Sequence, residues 1–167
     1  MKYSHSQVVF QEVPDEISLA LHITGCPWHC RGCHSSDLWD PELGEDLDST
    51  RLHSLLDRHS RYISCVLFLG GDWEEVALIP LLREARARGF KTALYTGRNR
   101  RQLSEALVNS LDYLKYGPYI ASLGGLDSPR TNQRFIRVGT GELLNHHFLR
   151  QQQGVNHHDS SGQCADQ

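Results

Sequence analysis

The chain has 167 residues, enough for one domain with a sizeable core and too few for two ordinary ones. Its 17 basic and 20 acidic residues give a net charge of −3, and the basic residues are scattered apart from Arg98, Arg100 and Arg101, so no nucleic-acid footprint is present. No apolar run approaches the length that spans a bilayer, and "MKYSHSQVVFQ" lacks the pattern of a signal peptide. A cytoplasmic protein with neither nucleic acid nor membrane as partner is expected.

In chain order, apolar runs bounded by turn residues predict strands over 6–13, 16–23, 63–70, 91–97, 113–119 and 134–138. Helical spacing fills the gaps between several of them. "DLDSTRLHSLLDRH" offers Ser49 or Asp48 as N-cap before a face of Leu52, Leu55 and Leu56. "EEVALIPLLREARARG" places Val76, Ile79 and Leu82 with Leu78 and Leu81 on a broad face, carries Pro80 near its first turn or as a kink, and ends on Gly89. "RRQLSEALVNSL" supplies Leu103, Ala106 and Leu107. Such alternation predicts an α/β fold whose mostly parallel sheet is covered by helices. Ligands bind at the carboxyl ends of such strands. Three unusual segments fall there: the cysteine loop after Ile23, "GGDW" after Leu69 and "TG" after Tyr95. Residues 1–150 form the predicted domain, and 151–167 read as a polar disordered tail whose His157 and His158, like His146 and His147 before them, are solvated.

Five cysteines are present, and Cys26, Cys30 and Cys33 lie within eight residues in the pattern Cys-x3-Cys-x2-Cys. Such a cluster in a reducing compartment points to metal rather than disulfides. Cys65, inside "ISCVLFL", reads as a small buried hydrophobe, and His22 as a packed or hydrogen-bonded core residue. A tetrahedral zinc site needs a fourth ligand, and His29 or His34 would complete a Cys3His set. Zinc modules usually draw their ligand pairs from separated knuckles, whereas an iron–sulfur cluster lets a short loop hold three irons and leave the fourth open to a substrate. Gly25 and Gly32 allow the positive-φ turns such wrapping requires, and Pro27 stiffens the loop.

Cys26, Cys30 and Cys33 resemble the cluster loop of the radical S-adenosylmethionine enzymes. "GGDW" at 70–73 is similar to that superfamily's GGE(or D)P motif, and "YTG" at 95–97 to the strand end of the activating enzymes for anaerobic ribonucleotide reductase. "DYLKYGPYI" (112–120) resembles their D-x-L-x-D-G-P/K-F strand and "SPRTNQRFI" (128–136) their S-x-N-Q-x segment, so the resemblance runs in order from about residue 16 to 138. It implies a partial (β/α) barrel, a 4Fe–4S cluster on the three thiolates, and S-adenosylmethionine chelating the fourth iron. One electron would then cleave the co-substrate to methionine and a 5′-deoxyadenosyl radical, which abstracts hydrogen from a glycine of a partner protein. The implied partners are a glycyl radical enzyme, the large subunit of anaerobic ribonucleotide reductase foremost, and a low-potential electron donor such as flavodoxin or ferredoxin.

The resemblance also implies roles for particular residues. Gly70 and Gly71 would let the backbone approach the methionine moiety, and Asp72 would accept a hydrogen bond from its ammonium. A strand-to-helix turn capped by Asp72 is the alternative for that segment. Thr96 would bond the ribose or carboxylate, with a plain strand-ending turn of Thr96 and Gly97 as the equal alternative; His34 is the candidate for adenine contact; and Asn132 with Gln133 would either line the pocket or hold their own loop by hydrogen bonds. Trp73 stands where the motif has proline, Gly32 where the wider superfamily has an aromatic residue, and Tyr116 where the subgroup often has aspartate. Two other readings remain: activation of another glycyl radical enzyme or action on a small molecule or peptide, and a zinc- or cluster-binding module without turnover.

Overall fold

The computed structural model describes residues 1–33 and 35–149. His34, the predicted tail and Cys164 lie outside the described residues. The strands are β1 (Lys2–Val9), β2 (Ser18–Ile23), β3 (Glu45–Asp46), β4 (Cys65–Leu69), β5 (Lys91–Tyr95), β6 (Tyr113–Tyr116), β7 (Arg134–Arg137) and β8 (Glu142–Leu143). The helices are α1 (Ser49–His59), α2 (Glu75–Ala87) and α3 (Glu105–Val108). All eight strands form one sheet in the order β3-β1-β2-β4-β5-β6-β7-β8. β2, β4, β5 and β6 are parallel neighbours, while β1, β3, β7 and β8 join through antiparallel pairings.

The expectation of a mostly parallel sheet curled into a partial barrel is therefore corrected. Parallel pairing is confined to the centre, and the edge strands β3 and β8 do not meet, leaving the sheet open. The cause lies in the connections. Each central strand is linked to the next by a segment carrying a helix, as parallel neighbours require. The chain instead returns directly between β1 and β2, through a turn where Asp15 takes φ 66°, and between β7 and β8, so those neighbours run antiparallel. β1 also begins four residues earlier than predicted: Phe10 is exposed, and Val13 enters the core from the turn.

The three helices cover one face of the sheet. Leu52, Leu56, Leu78, Leu82 and Leu107 from the helices pack with Leu19, Leu21, Val66, Phe68 and Leu94 from the strands in one apolar cluster. Asp48 proves to be the cap of α1, its carboxylate accepting a 2.7 Å bond from Arg51 N. Pro80 falls inside α2 on its exposed side, and Gly89 follows the helix at φ 87°. The predicted helix over 100–111 is broken: Asn99 and Gln102 close a capping box around a single 3-10 turn, and Ser104 then caps the short α3. On the opposite face, Ala20, Cys65, Leu67, Ala93, Tyr113 and Phe135 form a second cluster with Val9, Val13 and Leu144. Cys65 is fully buried there, and burial pushes its thiol up to about 12, which makes it an inert packing residue.

Glu16 ties the amino ends of the strands together. Its carboxylate, nearly buried, accepts from Ser64 Oγ at 2.6 Å and Tyr113 OH at 2.8 Å, and pairs with Lys91. Burial raises its pKa, but the bonds from Lys91, Ser64 and Tyr113 outweigh that and hold it below the ordinary carboxylate value. Glu16→Gln should cost about 2 kcal/mol of unfolding free energy at neutral pH. Because the folded value is depressed, the difference is complete above pH 4.5, the ordinary carboxylate value, and disappears as pH falls through the folded value. Urea titrations of both proteins between neutral pH and pH 3 measure it.

Candidate functional site

Parallel register lines up the last residues of the central strands on the face away from the helices. His22 pairs with Leu69, Leu69 with Tyr95 and Tyr95 with Lys115, giving one row across the sheet. Above it lies a cleft of about 1240 Å³ lined by Cys26, Cys30, Cys33, Gly70, Asp72 and Thr96 among others. The loops that follow β2, β4 and β5 thus meet at one rim, as the chain order predicts. A smaller cavity of about 480 Å³ near the amino ends is lined by Arg86, Lys91 and Arg137. Those cations are already bound to Asp112, Glu16 and Glu142, so that cavity is structural.

The cysteine loop is built by local turns. Gly25 and Gly32 take φ 79° and 75°, as wrapping requires, and His29 also lies at positive φ, 43°. Cys26 N donates to Leu38 O, Cys33 N to Cys30 O, and Ser35 N to Cys33 Sγ at 3.4 Å. All three cysteines are partly exposed. Burial pushes the Cys26 thiol up, and the charges of Asp72, Cys30 and Cys33 act in the same direction. His29 stacks on Trp39 at 4.6 Å. Among the described residues no three His, Cys, Asp or Glu side chains group around a single metal-ion position.

The glycines of "GGDW" also meet a packing constraint. Gly70 and Gly71 stand at φ 90° and 97°. A Cβ on Gly70 would lie 2.7 Å from Trp73 Cη2, and one on Gly71 would meet Ile23 and Met1 at 3.3 to 3.4 Å. The side-chain space beside both α-carbons is filled from within the chain. Trp73 also reaches the cysteine loop, its Nε1 lying 3.9 Å from the Cβ position of Gly25. Asp72 opens a 3-10 turn but caps nothing: the cap positions belong to Gly71 and Glu74.

Asp72 is the most constrained acid of the cleft, with 1% of its surface exposed. Arg98 Nε lies 3.1 Å from its Oδ2, and the Arg98 guanidinium sits 4.9 Å above the Trp28 ring, inside the cysteine loop. Thr96 and Trp28 also approach the carboxylate, yet neither of its oxygens has a well-aligned donor. Burial raises the Asp72 pKa, with Thr96, Arg98 and Trp28 opposing. Thr96 Oγ1 is engaged as well, accepting from Arg98 N at 2.9 Å.

Other predicted residues fall less centrally. Asn132 donates to Pro118 O at 2.8 Å and does not line the cleft, whereas its neighbour Gln133 does. His22 reaches the cleft, stacked on His5 at 3.9 Å and 3.3 Å from Gln7 Nε2, and burial lowers its pKa. Sequence reasoning missed Trp28, Arg98, Lys115 and Tyr119. Strand alternation from Tyr113 pointed to Lys115, and "YTGR" placed Arg98 one residue beyond the rim motif. Burial pushes the Lys115 ammonium down to about 8, against Cys30 and Cys33.

The 4Fe–4S single cluster domain family matches residues 17–135, and the chain belongs to that family. No curated protein matches the chain. The cysteines of the cleft suit the cluster in number, softness and partial exposure. No helix among the described residues is long and apolar enough to cross a membrane.

Cys30→Ala should abolish iron and acid-labile sulfide uptake while leaving the far-ultraviolet circular dichroism unchanged; retained iron would remove Cys30 from the ligand set. Gly70→Ala should cost about 2 kcal/mol through positive φ and collision with Trp73. In a Trp73→Leu background its added cost should fall to that of the backbone alone, ~1 kcal/mol, in a double-mutant cycle read by chemical denaturation.

Proposed function

We propose that the chain is a radical S-adenosylmethionine activating enzyme: an oxidoreductase that reductively cleaves S-adenosylmethionine and generates a glycyl radical on a partner, an anaerobic ribonucleotide reductase. One observation carries the reading. A buried carboxylate without an aligned donor, Asp72, lines the same cleft as three clustered thiols. Three thiolates leave one iron of a cluster for an outside ligand. An ammonium in the cleft would give Asp72 an aligned charge-assisted bond in addition to its ion pair with Arg98. Family membership supports the cluster, and the ordered motifs from Cys26 to Gln133 support the co-substrate and the class of partner.

When bound, the cluster and S-adenosylmethionine supply the one-electron bond cleavage, and the chain binds, orients and excludes water. Cys26, Cys30 and Cys33 hold the irons. Asp72 receives the ammonium, and Arg98 stabilises its ionised form against the burial that opposes it. Trp73 spaces the cysteine loop from the loop after β4. Phe10 and Trp28, exposed at the mouth, leave apolar surface for a segment of the partner chain. A flavodoxin or ferredoxin as donor and a cytoplasmic location belong to the same reading.

Electron paramagnetic resonance of anaerobically reconstituted, dithionite-reduced protein tests it. The reduced-cluster signal should change on addition of S-adenosylmethionine, and Asp72→Asn, with full iron content, should bind the co-substrate about tenfold or more weakly. A signal indifferent to S-adenosylmethionine would leave a cluster-binding module without turnover. Unchanged affinity in the variant would remove the role of Asp72.

A further inference from the structure

Lys115 has no part in the function above. It is the third residue of β6, paired in register with Tyr95 on one side and Phe135 on the other. Its side chain shares the open face with Tyr113, and its Nζ stands 5.8 Å from the centroid of the Tyr95 ring. It lines the same cleft as the thiols of Cys26, Cys30 and Cys33, and no salt bridge is formed by it among the described residues. The segment that follows this strand abuts the cysteine loop, Tyr119 Cε1 lying 3.8 Å from the Cβ position of Gly32. The other cations nearby are accounted for: Arg31 is exposed to water, and Arg98 is paired with Asp72. A half-buried lysine outside any salt bridge gains from a negative charge arriving in the same cleft.

We propose that Lys115 is the counter-charge of the cluster held by Cys26, Cys30 and Cys33 and raises its reduction potential. The proposal rests on those cysteines holding the cluster; it does not need S-adenosylmethionine. One electron taken from an external low-potential reductant adds one negative charge to the cluster and its thiolates. A fixed ammonium beside them lowers the energy of the reduced form more than that of the oxidised form, and does so more strongly in a partly dry cleft than at the surface. The remaining cleft residues of that row, His22, Leu69 and Tyr95, bring no fixed positive charge of this kind. Lys115 is thus a positioning charge rather than a ligand.

The test is a redox titration of the reconstituted full chain with dithionite and mediators, followed by electron paramagnetic resonance, for wild type, Lys115→Met and Lys115→Arg. Iron and sulfide content are measured in each. With a full cluster, Lys115→Met should show about a tenfold lower ratio of reduced to oxidised cluster at a fixed ambient potential, ~59 mV for a one-electron couple. Lys115→Arg, which keeps the charge, should stay close to wild type. An unshifted potential in fully loaded Lys115→Met overturns the proposal, as does an equal shift in Lys115→Arg, which would mark a packing effect. If the Met variant does not load, Lys115→Gln takes its place in the same comparison. A wild-type chain that takes up no iron overturns the cluster assignment itself, and so is distinguishable from failure of the charge effect.

Discussion

Parallel pairing of β2, β4, β5 and β6 obliges the segments that follow them to leave the sheet at one edge, and the remainder of the architecture depends on that constraint. Helices fill the return paths on one face. The other face keeps small side chains, Ala20 and Ala93, in the middle and larger polar ones, Tyr95 and Lys115, at the carboxyl end. Antiparallel additions at both sides widen the sheet, and their connections, through Phe10 to Asp15 and through Tyr119 to Asp127, add further walls to the cleft.

Three of the rim loops are joined by one polar junction. Trp28 comes from the cysteine loop, Asp72 from the loop after β4 and Arg98 from the loop after β5, and the guanidinium touches both of the others. Such a junction replaces what a barrel would obtain from closure, because it fixes the relative position of loops carried on an open sheet. The unaligned oxygens of Asp72 show that the junction is not fully satisfied by the chain itself. A group that satisfies them would add to the site without having to dismantle it.

Much of this was legible in the sequence, and the limits are physical. The buried strands β2, β4 and β5 announce themselves because both faces are apolar, and Asp48 announces α1 because a carboxylate at that point satisfies free backbone donors. The three cysteines and their glycines declare the loop through spacing alone. Periodicity misled over 100–111, where Leu103 and Leu107 keep helical spacing although Gln102 and Ser104 close two separate turns. Strand direction at the edges was hidden, since an apolar run does not say which neighbour it will meet. The role of Gly70 was equally hidden, because the ring that occupies its side-chain space is contributed by the residue where the family motif has proline. Arg98 and Lys115 carried chemistry that only long-range register brings to the cysteines.

The placement of the indoles has an optical consequence. The chain has three tryptophans: Trp28 lies within the cysteine loop, Trp39 stacks on His29 of that loop, and Trp73 fits between the loop and Gly70. Only Trp73 also touches the helix-side cluster. Tryptophan emission from this protein therefore originates almost wholly around the candidate cluster, so an intense visible absorber bound there would sit close to every donor at once. The molecule carries its own gauge of site occupancy, readable without a label.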